Sequence, residues 1–388
     1  MQKFAVAGIV AEYNPFHKGH EWMVQQLRGQ GYGAIVCVMS GPLVQRAEPA
    51  FLPTPVRAAA ALAGGADLVL RLPAAWATAS AEAFAAGGVG LLGALGCVDT
   101  IAFGAETADA ALLWRAAGVL LSPEVPRYLK RHLAGGVSFA AARAAALQEA
   151  MPEAAALLQS PNNILGVEYC KALQGAAARQ LGALWEKKNG PASAPALPRP
   201  LALPRLGASH DGEPQAGVAS ASWLRRAAAG QNAEALRPWV PAACLPYYTK
   251  AQQEGEGIDA ARWELAMLAR LRGKTAAEFA PYCGGGDGLE ARLAAAAGQA
   301  VDLPGLYGLA KSKRFAHSRV RRAALGAALG LQRPAAVPPF LQVLAANGQG
   351  LAVLQRAKQT AVLPVSTSLA KLAKTGPQAR EAVRQEAL

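Results

Sequence analysis

Charge is scarce in this sequence: Asp, Glu, Lys and Arg make up 17% of 388 residues, against roughly a quarter in an average globular chain. With 52% hydrophobic residues, disorder by composition is excluded. Glycine (40) and proline (26) are too few for a low-complexity chain. The five cysteines, Cys37, Cys97, Cys170, Cys244 and Cys283, are odd in number, widely spaced and never arranged as C-x-x-C. Neither a disulfide framework nor a zinc ribbon is expected, and buried free thiols are. No apolar run suits a membrane span of ~18 residues. Pro334 to Gln355 is uncharged throughout but is interrupted by Pro338, Pro339, Gln342, Asn347 and Gln349, and reads as loop and short helices. Ala83 to Val98 is too short, and the N-terminal segment meets Glu12 too early for a signal peptide. A cytoplasmic chain with no membrane contact is the expectation.

Acids are scarcest at the far end. From Gly305 to Leu388 thirteen Lys or Arg face two acids, Glu381 and Glu386, a net +11 of the whole chain's +13. That concentration is the electrostatic footprint of a phosphate-backbone binder.

The length predicts two or three domains. Over the first 110 residues, short apolar runs (Phe4 to Ala11, Ala34 to Met39, Asp67 to Leu72, Thr100 to Phe103) alternate with helical patterns, the first of these starting near Gly19. Continuously apolar strands separated by helices predict a parallel sheet covered on both faces, a Rossmann-like α/β fold. Ligands in such sheets bind at the carboxyl ends of the strands, here Glu12 to His20, Ser40 to Glu48 and Gly104 to Glu106. Ala110 to Leu158 and Asn162 to Ala178 read as helices. Pro191 to Pro204, with five prolines, reads as a linker, with a strand beginning near Leu203. Ser220 or Ser222 caps a further helix. The remainder reads as helical, without a strand. The expected division is 1–235 for a nucleotide domain with a helical insertion at about 110–180, and 236–388 for a basic helical domain.

The sharpest chemical signal follows the first strand: Glu12-Tyr-Asn-Pro-Phe-His17-Lys-Gly-His20. Two histidines three apart at a helix start project from one face. Free amides and the positive end of the dipole there attract phosphate, and Gly19 lets a nucleotide approach. Two imidazoles beside an α-phosphate can stabilise its transition state by hydrogen bonds, without covalent participation. His132, His210 and His317 lack ligand spacing, and no protein metal site is expected.

His17-x-Gly19-His20 resembles the signature of the HIGH-type nucleotidyltransferases, and Ser220-Ala-Ser-Trp-Leu-Arg225 is similar to their serine-rich phosphate motif. The fuller string Gly8-Ile-Val-Ala-Glu-Tyr-Asn-Pro-Phe-His-Lys-Gly-His20 looks like one family within them, the bacterial tRNA(Met) cytidine acetate ligases. Met39 to Pro49, Ala66 to Leu70, Phe103 to Glu106, Ser160 to Gly166, Gly288 to Glu290 and Lys313 to Arg319 are similar to later segments of that family.

The resemblance implies that ATP and acetate give acetyl-adenylate and pyrophosphate, and that the exocyclic amine of the wobble cytidine of elongator tRNA(Met) then takes the acetyl group. His17 and His20 are the implied catalytic residues. The implied ATP site comprises Val10, Ala11, Glu12, Tyr13, Asn14, Pro15, Phe16, His17, Lys18, Gly19 and His20, onward to Met23, with Gly104, Asn162, Arg205, Ser222 and Arg225. Lys313, Arg314, Arg319 and Arg322 are the implied tRNA contacts, and Mg2+ is expected with ATP, on the departing pyrophosphate. No acid-base pair is visible for the second step, which can rest on positioning the amine against an activated anhydride. Glu48 and Glu106 read equally well as solvated loop acids. The chain departs from the family at Ala47, where glycine is usual, at Ala316, where threonine is usual, and before Arg57, where basic residues are fewer. The alternatives are a free-standing adenylyltransferase making a small dinucleotide, and a catalytically idle RNA-binding protein.

Overall fold

The structure, a computed structural model, describes residues 4–190, 197–206, 214, 217–228, 233–284 and 286–386. His210, the first half of the proline-rich stretch and Gly230 lie outside them. Nine strands are found among the described residues: β1 Ala5–Ala11, β2 Tyr32–Ser40, β3 Leu43–Val44, β4 Glu48–Pro49, β5 Leu68–Leu72, β6 Thr100–Ala105, β7 Arg199–Pro204, β8 Leu341–Ala346 and β9 Val365–Ser366. Seven form one sheet in the order β7-β6-β1-β2-β5-β8-β9, and β3 pairs with β4 as a small antiparallel ribbon. From β7 to β5 all neighbours are parallel. The chain winds outward from β1 in both directions, toward β2 and β5 on one side and toward β6 and β7 on the other. The carboxyl ends of β1 and β6 therefore flank the switch point where such sheets open a crevice.

Continuous burial along β2 (Ala34 to Ser40) fits a strand covered on both faces. One face packs against the helices Ala81–Ala94 and Pro161–Gln174. The other packs against the helices Lys18–Gly29, Thr54–Ala63 and Leu245–Gln253. Helices spanning Ala260 to Leu329 share a separate core, into which Leu43, Ala47 and Ala74 of the α/β part insert.

The expectation of no strand beyond Arg226 fails, as does the reading of Pro334 to Gln355 as loop and short helices. β8 pairs antiparallel with β5, and β9 extends the sheet. Leu341-Gln-Val-Leu-Ala-Ala carries helix-forming residues and no alternation; the open edge of β5 makes it a strand, a tertiary override of local preference. Asn347 then caps the helix Gly348–Thr360 and donates to Asp67 Oδ1 at 3.0 Å. The side chain of Glu386 is buried and accepts from Arg71 Nη1 at 2.6 Å and from the Ala74 amide. The chain therefore leaves the sheet for the helical unit and returns. The terminal basic residues are divided accordingly: Arg356 donates to the Phe4 carbonyl on the sheet side, while Lys311 to Arg322 stay on the helical unit.

Arg57, the one basic residue from Pro49 to Arg57, does not face solvent. It is fully buried and donates to the carbonyls of Leu52 (3.0 Å), Glu12 (2.6 Å), Ser40 (3.0 Å) and Gly41, tying the loops after β1 and β2 together. Burial pulls its pKa down to about 10, against the opposing attraction of Glu12. Arg57→Met leaves these carbonyls unpaired and is expected to cost about 3 to 5 kcal/mol. Denaturant unfolding checks this; a midpoint equal to that of the wild type contradicts it.

The departure at Ala47 has a visible cost. Its φ of 57° lies in the left-handed region, which glycine enters freely and alanine at about 1 to 2 kcal/mol. Ala316 is the N-cap of the helix His317–Leu329 and makes no side-chain cap bond; a threonine there would contribute about 1 kcal/mol.

Candidate active site

The carboxyl ends of β1 and β6 border a cleft of about 300 Å³. Its lining includes Val10 to Asn14, His17, Gly19, His20, Gln45, Arg46, Gly104, Asn162, Tyr169, Arg205, Ser222 and Arg225. Most of the expected ATP residues thus converge, and Pro15, Phe16 and Lys18 do not reach the wall. Phe16 is fully buried beneath it.

His17 is the N-cap of the helix Lys18–Gly29, its backbone extended. Its Nδ1 accepts from the Gly19 amide at 3.1 Å, and His20 Nδ1 accepts from the His17 amide at 3.3 Å. With both Nδ1 atoms acting as acceptors, the proton of each neutral ring lies on Nε2. The rings stack with centroids 3.8 Å apart, and His20 also packs edge-on against Tyr13 at 4.9 Å. Burial, followed by the Arg205 charge, pulls His17 down to about 3. Burial, His17 and Arg205 hold His20 well below the usual imidazole range. At neutral pH the pair presents two neutral Nε2–H donors.

The expectation of free amides at this helix start is not met. The His17 and Gly19 amides serve the two rings, and the Lys18 amide donates to the Trp239 carbonyl at 2.9 Å. Caps and a neighbouring loop have taken the donors, leaving an anion to the imidazoles, the cationic arms and the helix dipole. Gly19 has a further reason to be glycine: a Cβ there would lie 3.0 Å from His17 Cε1, on the ring that folds back over it. At Gly104 the nearest atom to an added Cβ is Met23 Cε at 3.4 Å, so the cleft side is open.

Ser220 is the helix cap, accepting from the Trp223 amide. Ser222 and Arg225 face the cleft, and Arg225 donates to the Asn14 carbonyl at 2.9 Å. Neither Glu106 nor Glu48 is a free loop acid. Glu106 caps the helix Pro161–Gln174 through the Asn163 amide (2.9 Å) and holds Asn162 Nδ2 at 2.8 Å, with Arg205 3.9 Å away. Those hydrogen bonds outweigh burial and keep its carboxyl below the usual range. Glu48 lies between Arg225 (3.7 Å) and Arg321 of the helical unit (2.7 Å). Sequence spacing gives no signal for that pairing, which spans 273 positions.

Of the expected tRNA contacts, Lys313 and Arg314 are exposed, as is Lys311 beside them. Arg319 is committed within the protein, to Asp287 at 2.7 Å and to the Cys283 carbonyl at 2.6 Å. Arg322 is partly covered, and burial, then Arg319, lowers its pKa. All five cysteines are free and buried.

The chain matches the HIGH Nucleotidyl Transferase family over residues 4–184 and 193–387. It is 32% identical over 375 residues to the tRNA(Met) cytidine acetate ligase of Caldanaerobacter subterraneus subsp. tengcongensis, covering 94% of this chain and 88% of that one. The chain belongs to the tRNA(Met) cytidine acetate ligase family. Another member, from Alkaliphilus metalliredigens, is 32% identical over 389 residues, with the same coverage of both chains. Among solved structures, apo TmcAL of Thermotoga maritima matches with a TM-score of 0.88 at 28% identity, covering 98% of this chain and 92% of that one. The same enzyme bound with alpha-thio ATP matches with a TM-score of 0.84 at 27% identity and the same coverage. The Rossmann-like α/β sheet with its helical unit is thus a fold shared with these solved structures.

Among the described residues no three His, Cys, Asp or Glu side chains gather as a metal cluster, and no helix is long and apolar enough to cross a membrane.

Proposed function

We propose that this chain is an ATP-dependent acetate ligase, which forms acetyl-adenylate and transfers the acetyl group to the exocyclic amine of the wobble cytidine of elongator tRNA(Met). The observation that carries the reading is the pair of neutral Nε2–H donors on the cleft wall at the switch point. The names of the relatives and the nucleotide bound by TmcAL support it. They favour it over a dinucleotide-forming adenylyltransferase and over an idle RNA binder.

In the first step an acetate oxygen attacks the α-phosphorus and pyrophosphate leaves. Charge grows on the α-phosphate oxygens, where His17 and His20 donate hydrogen bonds without having to lose or gain a proton. Gly104 admits the nucleotide, Glu106 fixes Asn162 against it, and Arg205, Ser222 and Arg225 hold phosphates. Mg2+ would arrive on the nucleotide, since the described lining offers one carboxylate, Glu12, and no set of oxygen donors for a resident cation. It would neutralise departing charge.

The exposed Lys311, Lys313 and Arg314 of the helical unit dock the RNA, and the α/β part carries out the chemistry. A reaction that draws on ATP, acetate and tRNA would run in the cytoplasm.

Arg205→Ala is expected to raise the apparent KM for ATP about tenfold and to leave kcat within about threefold, because a ground-state clamp supplies uniform binding. ATP titration of acetate-dependent pyrophosphate exchange tests this; an unchanged KM removes Arg205 from the site.

A further inference from the structure

The proposed reaction moves one proton. Acetate is already an anion when it attacks the α-phosphorus, so the first step needs no base. The second does: a neutral amine attacks the acetyl carbonyl and must shed a hydrogen. Among the described residues lining the cleft, the ionisable side chains are Glu12, two histidines, two tyrosines and three arginines.

Seven of these eight cannot accept it. Both histidines carry their proton on Nε2 while Nδ1 is held by a backbone amide, and His17 accepts a proton only near pH 3. Tyr13 is paired with Cys37 Sγ at 3.1 Å below the surface. Tyr169 is a neutral phenol that burial, with Glu12 adding, makes still harder to ionise. Arg46, Arg205 and Arg225 have no acceptor atom. Glu12 remains. It follows the last residue of β1, opens to the cleft and accepts from the Gln45 amide at 2.7 Å through Oε1. A carboxylate beside phosphates is electrostatically unfavourable while ATP is intact, and the second step, after pyrophosphate has left, is where it can act.

We propose that the Glu12 carboxylate accepts the proton when the cytidine amine attacks acetyl-adenylate. The amine nitrogen bonds to the acetyl carbon, the bond from that carbon to the phosphate oxygen breaks, and AMP leaves with its electron pair. The nitrogen loses one hydrogen to Glu12, which later returns the proton to solvent.

The surroundings tune the carboxylate for this. Burial raises its pKa, opposed by the Gln45 amide, Arg225 and Arg57 and assisted by Glu48; Tyr169, on the helix Pro161–Gln174 and on the same cleft wall, is close enough to feel its charge. A base works best with its pKa drawn toward the working pH.

The inference rests on the acetyl-transfer reading, and the experiment separates the two. Enzyme, ATP and labelled acetate are incubated without tRNA to form acetyl-adenylate. tRNA is then added, and the single-turnover transfer rate is followed at pH 5 to 8. Wild type should show transfer falling tenfold per pH unit along an acidic limb that lies above the ordinary carboxylate range. In Glu12→Gln, which keeps an oxygen for the Gln45 amide, transfer from acetyl-adenylate already formed should drop at least ~100-fold and lose that limb; because Glu12 also lines the nucleotide cleft, pyrophosphate exchange is read at saturating ATP and its loss should be at least ~10-fold smaller than that of transfer. Glu12→Asp should recover part of the rate with the limb present. Equal losses in both half-reactions, or a limb surviving in Glu12→Gln, overturn the role of Glu12 alone. Failure of wild type to form acetyl-adenylate overturns the underlying reading as well.

Discussion

His20→Ala is expected to lower acetate-dependent pyrophosphate exchange by about 100- to 1,000-fold, the loss seen when one preorganised donor to a developing oxyanion is removed. The ring is fixed from three sides: Nδ1 on the His17 amide, its face on His17 and its edge toward Tyr13. That leaves Nε2–H aimed at the cleft with no orientation left to pay for during reaction. Because the ring also packs against Phe16 at 5.4 Å, alanine should lower stability by about 1 to 2 kcal/mol. His20→Gln, which restores an N–H donor, separates the two effects. The pH dependence has a definite sign. Both imidazoles have folded pKa values below their unfolded ones, so their contribution to stability is complete above about 6.5 and is lost as pH falls toward the folded values. Each costs up to about 1.4 kcal/mol per pH unit in that window. Exchange activity should therefore show no histidine limb near 6.5. A limb there, or near-normal exchange by His20→Ala, contradicts the assignment.

Reversing Lys311, Lys313 and Arg314 to Glu is expected to weaken tRNA binding ~100-fold or more at low salt and to flatten the dependence of log affinity on log salt by ~2 to 3, at ~0.7 to 0.9 per lost phosphate contact. Adenylation without tRNA should stay near the wild-type rate, since these side chains are exposed on the helical unit and none lines the cleft. Arg319 is left out of the variant because it holds Asp287 and the Cys283 carbonyl; its reversal would test folding. Unchanged affinity and salt slope in the triple variant would move the RNA face elsewhere.

The β1-to-helix junction was legible because its signals are local: an apolar strand, then two histidines and a glycine within four positions. The burial of Arg57, the bridge from Glu48 to Arg321 and the cap that Glu106 provides were not. Each joins residues distant in sequence, and a lone Arg or Glu in a loop looks the same whether solvated or buried. β8 was hidden for another reason, since leucine and alanine prefer helix and only the waiting edge of β5 selects the extended form. The +11 of the last quarter was a sound count and an imperfect map: the fold sends part of it to the sheet and neutralises part through Asp287 and Glu48. The free amides expected at the helix start were likewise claimed by side chains whose rotamers no spacing rule reveals.

The central claim is that this cleft activates acetate with ATP and the same chain delivers the acetyl group to tRNA. The most direct measurement incubates the purified chain with labelled acetate, ATP and bulk tRNA, then digests the RNA and analyses its nucleosides. Label on a single acetylated cytidine, dependent on ATP and lost with His20→Ala, is the predicted result. A dinucleotide product, or label absent from RNA while tRNA still binds, would contradict it.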